Sequence, residues 1–206
     1  MTTTNASDRS LTTDPRPAFL SAARTACDTV AAVSPGRLSD PTPCTEFDVR
    51  ALLGHLVAVF RRVTSVAAGV PAIGHAPLVT DVPDDGWGGA ARAAVRELEE
   101  AWADPAVLQR EMVLPFGTLP GAAALASYTG EVLTHTWDLA VSTAQSPGWD
   151  DEVVSGALAA IRGKLPAATR PPGVPFADAV PVPADASVID RLVAWQGRDP
   201  NWRRPF

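Results

Sequence analysis

Apolar residues recur at intervals of three and four positions through most of this 206-residue chain. Such spacing gathers apolar side chains on one face of an α-helix, so the pattern predicts helices joined by loops. No alternating pattern is long enough for a β-sheet, although residues 111–117 are expected to be briefly extended. The pattern therefore predicts an all-α fold, a four-helix bundle with a small C-terminal helical extension. The predicted helices span approximately residues 17–33, 46–68, 89–103, 120–144, 151–165 and 184–195.

The segments outside the helices divide the chain into three parts. Residues 1–14 are rich in Thr, Ser, Asn and Asp, which predicts a disordered tail. Residues 15–168 form the bundle, and the Gly-, Pro- and Asp-rich stretch 69–89 within them is expected to be a long loop able to cover a pocket. Residues 169–206 hold a Pro-rich segment and the last helix, which we expect to pack on the bundle.

Composition and charge argue against several classes of protein. The net charge of −6 and the pI near 5.0, with Lys164 as the sole lysine, provide no concentrated basic surface for a nucleic acid. No apolar run approaches the roughly 18 residues of a membrane helix, so no membrane partner is expected. Two cysteines are too few for a disulfide framework, and the N-terminus lacks the basic and apolar regions of a secretory signal. We therefore expect a cytoplasmic protein, monomeric or homodimeric.

Glu131 and His135 are the strongest chemical signal in the chain. They lie four residues apart in the fourth predicted helix, so their side chains share one face. His55, at the edge of the apolar face of the second helix, completes a three-ligand set if the two helices pack side by side. Three ligands with an open fourth position are typical of a catalytic zinc, although other divalent metals accept the same donors. The alternatives are a solvated Glu–His pair and a core histidine bonded to a backbone carbonyl.

Four further residues are candidates for roles around this centre. Asp138 follows His135 by three residues and is expected to orient its imidazole, or else to lie on the helix surface. Tyr128 is expected either to donate a proton or hydrogen bond in the cavity or only to pack there. Arg61 and Arg62, about two turns beyond the second helix's histidine, are candidates to attract a carboxylate, the alternative being a solvated face.

Four segments of the chain resemble one protein family, the mycothiol-dependent maleylpyruvate isomerase-like proteins of the DinB-like metalloenzyme superfamily. The resemblance is carried by residues 42–56 (TPCTEFDVRALLGHL), 131–140 (EVLTHTWDLA), 114–121 (LPFGTLPG) and 191–200 (RLVAWQGRDP). It implies a DinB-like four-helix bundle and mycothiol, a small thiol, as cosubstrate. It also implies a divalent metal on three residues of this chain: His55, Glu131 and His135.

The expected activity is that of a metal-dependent enzyme acting on a small molecule with the help of a thiol. A metal with one open position binds sulfur and lowers its pKa, so a thiolate is available to attack an electrophilic carbon. The outcome is S-transfer or cis–trans isomerisation. Cys44, just before the second helix, is either a resident nucleophile or a buried structural thiol. Two rival functions remain open: a metal-dependent hydrolase that activates water, and a non-catalytic metal or small-molecule binding module.

Overall fold

Helices dominate the computed structural model, which describes residues 14–170 and 176–204. The described chain contains six α-helices and a two-stranded antiparallel hairpin, which confirms the all-α fold class with one small addition. The predicted tail lies outside the described residues, apart from its last residue. The elements are α1 (Arg16–Ala31), α2 (Val49–Ala67), α3 (Trp87–Ala101), β1 (Glu111–Leu114), β2 (Gly117–Pro120), α4 (Gly121–Ser142), α5 (Asp151–Lys164) and α6 (Val188–Trp195).

The first four helices form the bundle that the apolar pattern predicts. Each packs against two neighbours, in the cyclic order α1, α3, α2, α4. Helix α2 is buried over almost its whole circumference, and leucines and aromatic residues fill the space between the helices. Helix α5 packs on α4 and α1, and α6 packs on α5 and α4, so the C-terminal extension covers one side of the bundle.

The expectation that no sheet forms is wrong, because β1 and β2 pair as an antiparallel hairpin. The register pairs Met112 with Leu119. Among the strand residues of the hairpin, only Met112 and Leu114 are buried in the core. An alternation of two buried positions is too short to recognise in the sequence. Pro120, which was expected in the first turn of the fourth helix, instead ends β2 in an extended conformation and immediately precedes α4.

Helix α2 begins at Val49, three residues later than the predicted start at residue 46. Asp48 itself is the N-cap, with extended backbone, and its side chain accepts a hydrogen bond of 2.8 Å from the backbone N–H of Ala51. A carboxylate at this position satisfies a free N–H and favours the positive end of the helix dipole. The start of the helix is therefore determined by Asp48, and the shorter helix still includes His55.

The loop between α2 and α3 packs directly against α2. The backbone N–H of Val79 donates to the carbonyl oxygen of Gly54 at 3.1 Å. A Cβ on Gly54 would come within 2.2 Å of the carbonyl oxygen of Val79, closer than any real contact. Glycine is therefore required for this approach, and the loop lies over the residue next to His55. No helix in the described part of the chain is long and apolar enough to cross a membrane.

The replacement Gly54→Ala tests this contact. We expect it to lower the free energy of unfolding by about 1–3 kcal/mol, because the added methyl group must displace the loop backbone. Gly156→Ala is the matched control: this exposed helical glycine has open space around its Cβ position, so alanine should stabilise by about 0.5–1 kcal/mol. Chemical denaturation of both variants measures the difference. Equal effects of the two replacements would contradict the close approach.

Candidate metal centre

His55 of α2 and the pair Glu131 and His135 of α4 come together where the two helices pack. One candidate ligand atom from each lies within 4.8 Å of the other two. The Nε2 atom of His55 is 3.5 Å from Oε1 of Glu131, and the two imidazole rings meet edge to face with their centroids 4.7 Å apart. The geometry thus brings together the three residues that the sequence nominated, from two helices that are separate in the chain.

The loop over α2 determines the protonation of His55. Its Nδ1 lies 3.0 Å from the carbonyl oxygen of Pro77. A carbonyl oxygen only accepts, so Nδ1 carries a hydrogen and Nε2 is the nitrogen that faces the site. Nε2 lies opposite a carboxylate oxygen of Glu131, which is an acceptor. Either a proton on Nε2 or a metal cation between the two atoms makes this approach favourable, so the pair is suited to hold a cation.

His135 is oriented in the same way by Asp138. The ring donates its Nδ1–H to Oδ2 of Asp138 at 3.1 Å, which leaves Nε2 with its lone pair available. Asp138 is fully buried and also receives two hydrogen bonds from the guanidinium of Arg198, at 3.2 and 3.0 Å. Burial alone would raise the pKa of Asp138, but His135 and Arg198 outweigh it, so this pKa is lowered. The carboxylate therefore stays charged and holds the ring.

Glu131 is likewise kept anionic. Burial raises its pKa, but the hydrogen bond from His55 and the charges of His135 and Arg62 more than compensate, so the net shift is downward. Nη1 of Arg62 lies 3.8 Å from Oε1 of Glu131. An ionised carboxylate beside two imidazole nitrogens is a donor set that divalent metals accept, so the residues present fit such an ion.

Tyr128, Arg62 and Arg61 differ in their relation to this centre. Tyr128 is buried, and its hydroxyl has no hydrogen-bond partner among the described residues. Burial, assisted by the charge of Glu131, raises the pKa of Tyr128 to about 12, with Arg62 acting in the opposite direction. Arg62 borders the centre, whereas Arg61 is exposed and belongs to none of the ion pairs of the described chain. The structure therefore brings Tyr128 and Arg62 to the site and leaves Arg61 outside it.

Cys44 lies beside two residues of the centre, His135 and Asp138. Its sulfur is within 4.8 Å of ligand atoms of His135 and Asp138, and the residue is partly buried. Burial raises the pKa of the thiol, and the charge of Asp138 raises it further. A resident nucleophile would need the opposite, a thiol pKa lowered by the nearby helix N-terminus. A protonated thiol is a poor nucleophile, so the structure favours the structural interpretation of Cys44.

Two contributors to the site come from outside the paired helices and were not predicted from the sequence. Arg198 follows α6, and the carbonyl of Pro77 lies in the loop between α2 and α3. Close to Arg198, the fully buried Gln196 donates to Oγ1 of Thr134 at 2.6 Å, which fastens the C-terminal segment to α4. One signal did exist, because Arg198 belongs to the segment 191–200 that carried part of the resemblance. Nothing in the sequence showed that its partner was Asp138.

The fold and the site together define a helical-bundle protein with a candidate centre of two histidines and one glutamate. The family model described as the mycothiol maleylpyruvate isomerase N-terminal domain matches residues 19–140, which include all three candidate ligands. The chain therefore belongs to this family. The membership confirms the resemblance found in the sequence and agrees with the expectation of an enzyme of isomerase type.

Two relatives and two solved structures extend this comparison. The relatives are uncharacterised proteins from two strains of Mycobacterium tuberculosis, each 36% identical over 169 residues, which cover 82% of this chain and 89% of the relative. The structures are a mycothiol-dependent maleylpyruvate isomerase and its histidine-to-alanine variant, with TM-scores of 0.56 and 0.54 at 16% and 15% identity. Both alignments cover 69% of this chain and span only 65% of the solved chains, so they establish the shared fold.

Replacing Asp138 tests its role in orienting His135. Asp138→Asn keeps the shape but removes the charge, so we expect zinc affinity to fall about 10–100-fold. Arg198→Gln should act in the same direction, because it removes both hydrogen bonds from the buried carboxylate. Competition with a chromophoric chelator measures both affinities. Asp28→Asn, at an exposed position of α1, is the control and should bind zinc like the wild type. Unchanged affinity in Asp138→Asn would contradict the orienting role.

Proposed function

We propose that this protein is a divalent-metal-dependent enzyme that uses mycothiol to isomerise, or to transfer sulfur to, a small electrophilic substrate. The observation that carries the proposal is the pair of histidine nitrogens freed for coordination beside an ionised glutamate. In both rings a protein acceptor takes the Nδ1–H, Pro77 for His55 and Asp138 for His135, so Nε2 is the nitrogen left for a metal in each. Family membership supplies the second support, because the matching family model is named for a mycothiol-dependent isomerase.

The metal would be held by His55, Glu131 and His135. This set of two imidazoles and a carboxylate favours zinc, and it also suits other divalent ions. When bound, such an ion supplies a Lewis acid that lowers the pKa of a thiol. One of these ligands comes from α2 and two come from α4. With only three protein ligands, such a centre would keep an open position for an external molecule.

The rest of the chain positions and protects these ligands. Pro77 and Asp138 fix the orientation of the two rings, and Arg198 keeps Asp138 charged. The loop over Gly54 covers the His55 side of the centre. In this proposal Asp138 acts as a positioning residue rather than by contact with substrate, since it is fully buried.

The chemical state of the cysteines supports an external nucleophile. Burial raises the pKa of Cys27 to about 11 and also raises the pKa of Cys44. Neither supplies a thiolate at neutral pH, so the reactive sulfur comes from the cosubstrate. Its addition to an unsaturated carbon turns a double bond into a single bond that rotates, and elimination of the same thiol then restores the double bond in the other geometry. The thiol is regenerated, so the isomerisation needs no oxidant or reductant.

A free thiol as cosubstrate and two free cysteines suit a reducing compartment, so we propose that the protein acts in the cytoplasm. Its partners are then a thiol and a small electrophile. The negative net charge of the chain argues against a nucleic-acid partner.

Metal analysis tests the centre itself. Protein purified without chelator should hold about one divalent ion per chain by elemental analysis. His135→Ala should lose most of this metal, because it removes one of three ligands. His75→Ala is the matched control, since His75 lies outside both clusters of potential ligands in the described chain. Equal metal content in the two variants would remove His135 from the proposed site.

Calorimetric titration of metal-loaded protein with mycothiol tests the thiol. We expect saturable binding by the wild type and at least a tenfold loss in Glu131→Ala, corresponding to about 1.4 kcal/mol or more. Maleylpyruvate should then be isomerised only when mycothiol is present. Metal binding without mycothiol binding would favour the hydrolase or the non-catalytic module, and thiol-independent hydrolysis of an ester substrate would single out the hydrolase.

A further inference from the structure

We infer that Cys44, His135 and Asp138 form a second, weaker cation site, which takes a thiophilic divalent ion such as Cd²⁺ or excess Zn²⁺ and competes with the proposed centre for His135. Binding at this site is independent of the proposed function, whereas its effect on the centre rests on the metal proposed there. The inference adds an inhibitory site to a chain whose cysteines take no part in the proposed chemistry.

The second site is built from one loop and one helix. Cys44 lies in the loop before α2, and His135 and Asp138 are about one turn apart on α4. One potential ligand atom of each lies within 4.8 Å of the other two. Within the described chain, only this group and the candidate centre bring three such residues together. Because Asp138 is fully buried, the group is not a chance cluster of surface acids.

Sulfur distinguishes the two sites chemically. The candidate centre offers only nitrogen and oxygen atoms, whereas the second set includes the sulfur of Cys44. Thiolate ligands favour soft cations, and zinc accepts sulfur, nitrogen and oxygen together. A cation that binds the sulfur displaces the thiol proton, because the thiolate is the ligand. Cys44 is thus a poor nucleophile in the free protein and still suited to hold a metal.

Asp138 can accept a cation at one of its two oxygens. Oδ2 accepts from Nδ1 of His135 and from Nη2 of Arg198, and Oδ1 accepts separately from Nε of Arg198. A cation that replaces the Nδ1 hydrogen would leave the bond at Oδ1 in place. Arg198 lies 3.0 Å from its carboxylate, closer than Arg62 lies to Glu131 at 3.8 Å. The second site therefore meets the stronger repulsion and binds more weakly than the centre.

His135 links the two sites and limits them to one ion at a time. A neutral imidazole carries one hydrogen, which here lies on Nδ1 next to Asp138, while Nε2 is left for the centre. An ion on Nδ1 moves this hydrogen to Nε2, which then no longer serves as a ligand of the centre. The centre keeps only His55 and Glu131 and loses affinity for its metal. Occupancy of the second site therefore inhibits any activity that depends on the centre.

Titration of the zinc-loaded protein with Cd²⁺ tests the inference. We expect the ultraviolet charge-transfer band of a cadmium–thiolate bond in the wild type and no band in Cys44→Ala. Cys27→Ala makes the same change at the other cysteine, which is buried in the core, and should keep the band. Elemental analysis after gel filtration should find that zinc leaves the wild type at about tenfold lower cadmium concentration than it leaves Cys44→Ala.

Two further variants, titrated free of zinc, distinguish a chelating site from a lone thiol. His135→Ala should need about tenfold more cadmium to develop the band, because one of three ligands is lost. Glu131→Ala damages only the centre and should keep the band at wild-type affinity or better. Equal cadmium affinity in His135→Ala and the wild type would overturn the inference. Persistence of the band in Cys44→Ala, or equal zinc release from that variant and the wild type, would also overturn it.

Failure of the proposed function has a different signature. A Cys44-dependent band in protein that holds no zinc at the centre, or that ignores mycothiol, would uphold the second site and reject the proposed centre or the thiol chemistry. Thermal unfolding of every variant separates the loss of a ligand from the loss of the fold. Cys44→Ser, which keeps the size of the side chain, takes the place of Cys44→Ala if the alanine variant does not fold.

Discussion

The candidate centre depends above all on the buried carboxylate of Asp138. This group accepts the Nδ1–H of His135 on one side and two N–H groups of Arg198 on the other. A fully buried carboxylate without such partners would cost several kcal/mol, so each of the three groups stabilises the others. The same contacts join the C-terminal segment to α4. Stability of the fold and orientation of a candidate ligand therefore rest on one ion pair.

The second histidine is oriented by a different part of the chain. The loop between α2 and α3 approaches so closely that only glycine fits at position 54, and this approach brings the carbonyl of Pro77 to the ring of His55. The loop thus orients one ring, and Asp138 of α4, held by Arg198 after α6, orients the other, while the bundle supplies the rigid helices that carry both. This division is common in metal sites, where groups around the ligands determine the orientation of the ligands.

The bundle leaves one buried hydroxyl of the site without a partner among the described residues. The buried hydroxyl of Tyr128 has no hydrogen-bond partner among the described residues, in contrast to the well-satisfied Asp138 and Arg198. Folded proteins rarely tolerate such groups unless a ligand or water completes them. The centre therefore combines a rigid, satisfied side that orients the ligands with a side, at Tyr128, where a buried hydroxyl is left for a ligand or a water molecule.

The sequence by itself determined the helices, the bundle class and the three candidate ligands, because helical periodicity and the spacing of Glu131 and His135 are local properties of the chain. It placed Asp138 correctly next to His135 in the helix, but it did not separate Arg62 from Arg61 or identify Arg198. Only the tertiary structure decided these points, together with the β1–β2 hairpin and the contact at Gly54. The partners of Asp138 and Gly54 lie 60 and 25 positions away, and neither periodicity nor spacing encodes contacts over such separations.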